Sequence, residues 1–180
     1  MKQIYFVLTR TGTILSKIIK IYTRDEFSHS SIALDQELQQ MYSFGRLNPY
    51  NAFVGGFVHE YINKGTFKRF KNTKCKIFAL DVEEEKYEKL KTNILNFEKE
   101  KNKYKFNIKG LFAVGFNIKY TKQNYFYCAE FIKYITEESG INLNLPELVR
   151  PENFKDVKEL REIYKGLLRE YKPEMEKART

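Results

Sequence analysis

In this chain of 180 residues, Cys128 and His29 have side chains suited to covalent chemistry and stand where that chemistry is favoured. Cys128 stands in YFYCAEFIKYITEES, where apolar spacing predicts a helix that begins near the cysteine. Backbone N–H groups and the helix dipole stabilise a thiolate at such a position, and they can also receive an oxyanion. The position therefore favours a nucleophile, and a small buried core residue is the alternative.

His29 opens a predicted strand, HSSIALD. Alternation places Ser31 and Ala33 on the same face as His29, so this face is small and polar. A neutral imidazole there could accept the thiol proton and later donate it to a leaving group. The alternative is a structural histidine held by hydrogen bonds. Only two His and two Cys are present, and one of each stands at the start of a predicted element.

The second cysteine and the second histidine have no comparable context. Cys75 alternates with Ile77 and Ala79 in a predicted core strand, and nothing around His59 indicates chemistry. The chain has no Cys pair two to four residues apart and no His pair on one helical turn, which are the spacings typical of zinc sites. We expect neither a metal nor another cofactor.

Hydrophobic periodicity predicts the elements that position Cys128 and His29. Strand patterns cover 2–9, 29–35, 40–45 and 75–82; helical patterns cover 14–23, 87–97, 128–139 and 153–171; residues 107–120 favour a helix and 46–58 a loop. The predicted class is α+β, with a small antiparallel sheet that contains the His29 strand packed against the helix that begins near Cys128.

Composition bounds the partners and the location. The length predicts one domain, 1–180, with a helical C-terminal tail from about 150. A net charge of +9 favours an acidic polymer or a membrane surface as partner, whereas nucleic acid is not favoured, because no zinc-finger spacing or glycine-rich phosphate loop is present. Without an export signal or a long apolar run, a cytoplasmic location with reduced cysteines is expected.

A family resemblance rests on two segments above all, FSHSSIAL and FYCAEFI, supported by LTRTGTILSKIIKIYTRDE, MYSFGR and the tail PENFKDVKELREIYKGLLREY. Together they resemble the circularly permuted branch of the NlpC-type, papain-like cysteine peptidases. They are similar to the YiiX-like hydrolases and more distantly to lecithin:retinol acyltransferase. In that branch the His-bearing strand precedes the Cys-bearing helix, as it does here. The resemblance covers residues 2 to about 170.

The resemblance implies a cysteine hydrolase in which Cys128 is the nucleophile, His29 the general base and a third polar residue on the next strand orients the imidazole. Ser43 stands at that third position, where the family commonly has His, Glu, Gln or Asn. A serine can hydrogen-bond an imidazole but supplies no negative charge. Glu60 is the alternative, unless it is a solvated surface carboxylate. The substrate would be a peptide, another amide or an acyl lipid; acyl transfer and a noncatalytic binding module stay open.

Overall fold

The computed structural model describes residues 1–12 and 25–173, the side chains at 52 and 53 excepted. These residues form an α+β structure around a six-stranded antiparallel sheet of order β4-β3-β2-β1-β5-β8. Its strands are β1 Lys2–Arg10, β2 His29–Ala33, β3 Met41–Asn48, β4 Asn51–Glu60, β5 Lys74–Val82 and β8 Arg161–Leu167. Two short strands, β6 Lys105–Phe106 and β7 Tyr125–Phe126, pair in parallel beside it.

The described helices are α1 Gly65–Arg69, α2 Glu84–Lys99, α3 Ile108–Gly115 and α4 Cys128–Glu138, with 3-10 turns at Lys101–Lys103, Pro151–Asp156 and Leu168–Glu170. The predicted helix at 14–23 lies outside the described residues. The helices predicted around 87–97, 107–120 and 128–139 are confirmed, as are the strands at 2–9, 29–35, 40–45 and 75–82.

The sheet is buried on both faces, which explains the dense apolar composition of its central strand. On β1, Ile4, Phe6 and Leu8 point into a core cluster shared with α2 and α4. Tyr5 and Val7 point the other way, into a second cluster that includes Cys75 and Phe67. Successive side chains of a strand alternate between faces, so one strand contributes to both clusters. The helix α4 packs on the first face, against β2 and β3.

The prediction of a loop over 46–58 is correct only at the turn and wrong for the residues on either side of it. The chain turns at Pro49 and Tyr50, then forms β4, which includes Gly55 and Gly56. A Cβ at Gly55 would lie 2.9 Å from Phe106 and 2.8 Å from the Gly45 carbonyl oxygen. The glycine therefore marks a close approach of two strands and not a loop.

The predicted helical tail from about 150, with a helix over 153–171, is also wrong. Residues Pro151–Asp156 form a 3-10 turn, and Arg161–Leu167 pair with β5 as the edge strand β8. The edge of β5 offers backbone hydrogen bonds, and Ile163 and Tyr164 pack against the second core cluster. These tertiary gains outweigh the helix propensity of a charged, leucine-containing segment.

Within residues 1–12 and 25–173, no helix is both long and apolar enough to cross a bilayer. The expected cytoplasmic location and the single-domain organisation over 1–180 stay predictions.

Candidate active site

Cys128 is the first residue of α4, as its sequence context predicts. The chain enters the helix in extended conformation at Tyr127, whose backbone N–H donates to the Glu130 carboxylate at 3.3 Å and whose hydroxyl donates to the Val149 carbonyl at 3.0 Å. These bonds fix the first turn of α4. The thiol is held in the protein interior, with Cys128 2% exposed.

His29 is the first residue of β2, opposite Thr9 of β1. Its Nε2 lies 3.1 Å and 3.3 Å from the two carboxylate oxygens of Glu60, and its side chain is 20% exposed. The imidazole and the Cys128 thiol also shift each other's pKa through a hydrogen bond and through charge. Because Nε2 is engaged with Glu60, Nδ1 is the ring nitrogen available to the thiol. The structure therefore brings the two predicted residues together and adds a carboxylate.

Glu60 is the last residue of β4, and its side chain is only 9% exposed. Ser31 donates to its second carboxylate oxygen at 2.5 Å. The interpretation of Glu60 as a solvated surface carboxylate is therefore wrong. Recognition of β4 as a strand would have revealed this placement, because alternation puts Glu60 on the same face as Val58, opposite Met41 and Ser43 of β3.

Ser43, predicted as the third member of the site, is completely buried in β3 beside the carboxylate of Glu60. Its hydroxyl makes no hydrogen bond of standard geometry to any residue in the described ranges. The group that contacts the imidazole is Glu60. Ser43 thus lies next to the Glu60 carboxylate and not next to the imidazole. The catalytic role of Ser43 stays a prediction.

Gly45 provides the space that the Glu60 carboxylate occupies. A Cβ at this position would lie 3.3 Å from Glu60 Oε1, 3.2 Å from Ser43 Oγ and 3.3 Å from Val58 Cγ1. These distances are tighter than ordinary van der Waals contacts, and two of the three neighbours are buried polar atoms. A side chain at 45 would therefore displace the carboxylate from the imidazole.

We expect Gly45→Ala to lower the free energy of unfolding by about 1–3 kcal/mol through overpacking and to weaken the Glu60–His29 contact. Urea unfolding and the pH dependence of Cys128 alkylation would measure the two effects. Gly56→Ala is the matched control, since a Cβ there meets only Leu47, at 3.4 Å, and the Tyr104 oxygen, at 3.8 Å. Equal effects of the two substitutions would contradict the assignment.

Burial opposes charge on all three groups, but their mutual attraction outweighs burial. The pKa of His29 is lowered by burial and raised by the Glu60 charge and by hydrogen bonds to Cys128 and Glu60, which together bring it to about 10. Burial raises the pKa of Cys128, whereas the hydrogen bond and charge of His29 lower it to a net value below the ordinary one. The pKa of Glu60 is lowered in the same way, against burial, by the charge of His29. The favoured state is an imidazolium between a thiolate and a carboxylate.

Ser30 provides a second contact to the thiol. Its backbone N–H and its hydroxyl both act to lower the pKa of Cys128. Ser30 lies on the opposite face of β2 from Ser31, so adjacent serines serve different members of the site: Ser30 the thiol and Ser31 the carboxylate. The alternation of β2 predicts the polar face that holds Ser31, but no sequence pattern predicts a role for either serine.

The remaining predicted positions lie apart from this arrangement. Cys75 is 1% exposed in the second core cluster, and burial raises its pKa to about 12, as suits a core strand residue.

A cavity of about 190 Å³ borders Glu60 and is also lined by Arg46, His59 and Lys64, among other residues. Within the described part of the chain, no group of three or more His, Cys, Asp or Glu side chains is arranged to hold a metal ion.

Comparison with known proteins shows the fold alone. No family model matches the chain, and no curated protein matches it. One solved structure with a similar fold is the crystal structure of metalloprotein YiiX from Escherichia coli O157:H7, a protein of family DUF1105. The TM-score is 0.53 at 13% sequence identity, over 92% of this chain and 98% of YiiX. The chain thus has a YiiX-like fold, in agreement with that part of the resemblance.

Proposed function

We propose that this chain is a cysteine hydrolase, an amidase or peptidase, with a permuted papain-like fold of the NlpC type. Cys128 is the nucleophile, His29 the general base and acid, and Glu60 the residue that positions the imidazole. The observation that carries the proposal is the contact of one imidazole with both a thiol at a helix start and a buried carboxylate.

In the first half-reaction the Cys128 thiolate attacks the carbonyl carbon of an amide. A C–S bond forms, and the carbonyl π electrons move to oxygen, where the N–H groups of the first turn of α4 can stabilise the oxyanion. The intermediate collapses with cleavage of the C–N bond, and the leaving nitrogen takes the proton from the His29 imidazolium. The products are a free amine and a thioester on Cys128.

In the second half-reaction neutral His29 removes a proton from water, which attacks the thioester carbon. The C–S bond breaks, the carboxylic acid leaves, and the thiolate–imidazolium pair is restored. Glu60 acts in both halves through its charge, because it stabilises the imidazolium and, by engaging Nε2, leaves Nδ1 for the thiol. Ser31, which donates to the second carboxylate oxygen, fixes Glu60 in turn.

YiiX is described as a metalloprotein. The described donor set does not fit a resident metal, since no group of three or more His, Cys, Asp or Glu side chains within residues 1–12 and 25–173 is placed to ligate one. The Nε2 atom of His29, a common ligand atom, is instead engaged with Glu60. The proposed reaction accordingly runs through the thiol and the imidazole.

Acyl transfer is the second candidate, and the burial of the nucleophile favours it. At 2% exposure the thiol of Cys128 has little contact with bulk water. An acyl-enzyme sheltered from water lives longer and can be passed to an amine or hydroxyl acceptor. Product analysis with and without added amine would separate hydrolysis from transfer.

The rate of Cys128 alkylation by iodoacetamide as a function of pH tests the ion pair. A free thiol of pKa about 8.5 is only about 0.3% ionised at pH 6. A stabilised thiolate raises the ionised fraction at this pH by more than about a hundredfold. A thiolate of lower pKa is also a weaker nucleophile, which reduces the gain in alkylation rate by about one order of magnitude. In the Cys75→Ser background, we therefore expect His29→Ala to slow alkylation at pH 6 by about tenfold.

The matched control is His59→Ala in the same background, which should leave the profile unchanged because His59 contacts Tyr42, Tyr61 and Gln39 instead of the thiol. Slow alkylation with the profile of a free thiol in both the parent and His29→Ala would contradict the proposal. The noncatalytic binding module would then be the better interpretation.

A further inference from the structure

The cavity of about 190 Å³ that borders Glu60 lies among residues of β3, β4 and α1. Its lining includes three large apolar residues, Leu47, Val58 and Phe67. It also includes two cationic residues, Arg46 and Lys64. The cavity therefore combines an apolar wall with positive charge, a combination that suits a ligand with an apolar body and an anionic group.

Glu60 is the one acid among the described residues that line this cavity, and its charge is already balanced. Its carboxylate lies 3.1 Å from Nε2 of the His29 imidazolium and accepts a hydrogen bond from Ser31 at 2.5 Å. Because the imidazolium balances the carboxylate, Glu60 does not offset the charges of Arg46 and Lys64.

Arg69 places a third positive charge beside the cavity. Its Nη1 donates to the carbonyl oxygen of Pro49, a lining residue, at 2.6 Å. The guanidinium carbons of Arg46 and Arg69 lie 5.8 and 5.2 Å from the ring centre of Phe70, so both groups approach the same ring. Burial and the charge of Arg69 lower the pKa of Arg46. Two cations held together in this way repel each other, and a bound anion would offset the repulsion.

The segment that forms this side of the cavity supplies no acid of its own. Residues 61–80 contain six lysines and arginines and no aspartate or glutamate. Within residues 1–12 and 25–173, the Lys64 ammonium lies 4.5 Å from the ring centre of Tyr61 and makes no ion pair or hydrogen bond. The ammonium group therefore has hydrogen-bond donors to offer a ligand in the cavity.

We propose that this cavity binds a small organic anion, an apolar body that carries a carboxylate or a phosphate. The anionic group pairs with Lys64 and Arg46, since ammonium and guanidinium groups form charge-assisted hydrogen bonds with both kinds of anion. The apolar body packs against Leu47, Val58 and Phe67. A cavity of about 150 Å³ is large enough for benzene, so this one suits a single ring or a short chain.

The anion site lies next to Glu60 but does not depend on the chemistry of Cys128. An anion in the cavity opposes the ionised carboxylate and favours the imidazolium that balances it, so ligand binding and the pKa of His29 are coupled in both directions. Cys128→Ser should bind the anion as the parent does. Loss of acylation would therefore leave this site intact, and failure of anion binding would leave the proposed hydrolase intact.

The test is an NMR titration of the ¹⁵N-labelled full chain with benzoate and with phenyl phosphate. We expect at least one of the two to produce saturable shifts at the amides of Val58, Gly65 and Phe67, which line the cavity. The tighter of the two identifies the anionic group. Benzyl alcohol has no charge and inorganic phosphate has no apolar body, so each should bind at least about tenfold more weakly.

Lys64→Gln should weaken binding of the tighter anion by at least about tenfold, because a charge-assisted hydrogen bond is lost. The side chain of Lys64 does not cap α1, so α1 should form in the variant, and the amide spectrum would show this directly. The matched control is Lys68→Gln, which removes the same charge from an exposed position of α1 outside the lining and should bind as the parent does.

Three results would overturn the proposal. The first is the absence of saturable shifts at the lining amides with either anion. The second is binding of benzyl alcohol as tight as that of the anions, which would make the cavity an apolar site without charge recognition. The third is an equal loss of binding in Lys64→Gln and Lys68→Gln, which would assign the effect to the overall positive charge of the surface.

Discussion

Cys128→Ser is expected to abolish acylation of the protein by p-nitrophenyl acetate, a generic acyl donor. In the native protein we expect the thiolate to displace p-nitrophenolate and to form an acetyl thioester at the start of α4. A serine hydroxyl at the same place stays protonated, because an alcohol ionises far less readily than a thiol and burial opposes its ionisation, as it does for the thiol, whose pKa is lowered only by the hydrogen bond and charge of His29 and by Ser30. Intact-mass and peptide mass spectrometry would locate the adduct, and p-nitrophenolate absorbance would give the rate.

Cys75→Ser is the matched control and should acylate at the parental rate. Cys75 is equally buried, but it has no imidazole beside it, and burial raises its pKa to about 12. Persistence of the acetyl group on the protein after Cys128→Ser, at Cys75 or at a lysine, would show that the ester labels the chain without using the proposed site. Loss in Cys75→Ser alone would contradict the assignment of the nucleophile.

The pairing of Cys128 with His29 could be predicted because the sequence around each residue indicates where that residue lies in its helix or strand. An apolar repeat of three and four residues places Cys128 at the beginning of a helix, and an alternating run places His29 at the beginning of a strand. The resemblance then supplied the one long-range fact, that this helix packs on this strand. The structure shows that packing, with α4 against β2.

The third group could not be predicted in the same way. Glu60 comes within 3.1 Å of His29 through two strand pairings, β2 with β3 and β3 with β4, and through the space left by Gly45. None of these is visible in a local pattern. The glycines of β4 also hid the strand itself, so the alternation that places Glu60 inward was not recognised. Ser43 is the position that the sequence predicts, because it lies on the strand after the His29 strand. The longer side chain of Glu60 is the one that contacts the imidazole.

The edge strand β8 was missed for a similar reason. Its residues, REIYKGL, have both helix-forming and strand-forming members, and the choice depends on whether β5 has an open edge beside them. The sheet supplies that edge only after β1 and β5 have paired. Local propensity therefore decides the elements in the sheet interior and at helix starts, and long-range pairing decides the periphery.

Glu60→Gln is expected to lower the rate of acylation by about 10²- to 10⁴-fold, the range found when the charged partner of a catalytic histidine is neutralised. The amide keeps the size of the side chain and can still accept a hydrogen bond from Ser31 and from His29. It removes the negative charge that holds the pKa of His29 near 10 against burial. The imidazole then becomes neutral at lower pH, and the thiolate loses its counter-charge.

The pH dependence of the free energy of unfolding follows from the same pKa shifts. Because the pKa of His29 is raised in the folded state, its contribution to stability is complete below 6.5 and is lost as the pH rises through about 10. Because the pKa of Glu60 is lowered, its contribution is present above 4.5 and is lost as the pH falls. Glu60→Gln should therefore flatten the unfolding free energy on both limbs. Urea unfolding across this pH range would measure the change.

Ser43→Ala separates a role of the charge from a role of packing. Ser43 is as buried as its neighbours and lies against the same carboxylate, but it makes no standard hydrogen bond to the described residues, so its loss should slow acylation by no more than about threefold. NMR titration of the His29 ring should show a large fall in its pKa in Glu60→Gln and a small change in Ser43→Ala. Equal effects of the two substitutions on rate and on titration would mean that Glu60 serves the fold alone, and that His29 acts on Cys128 without an anionic partner.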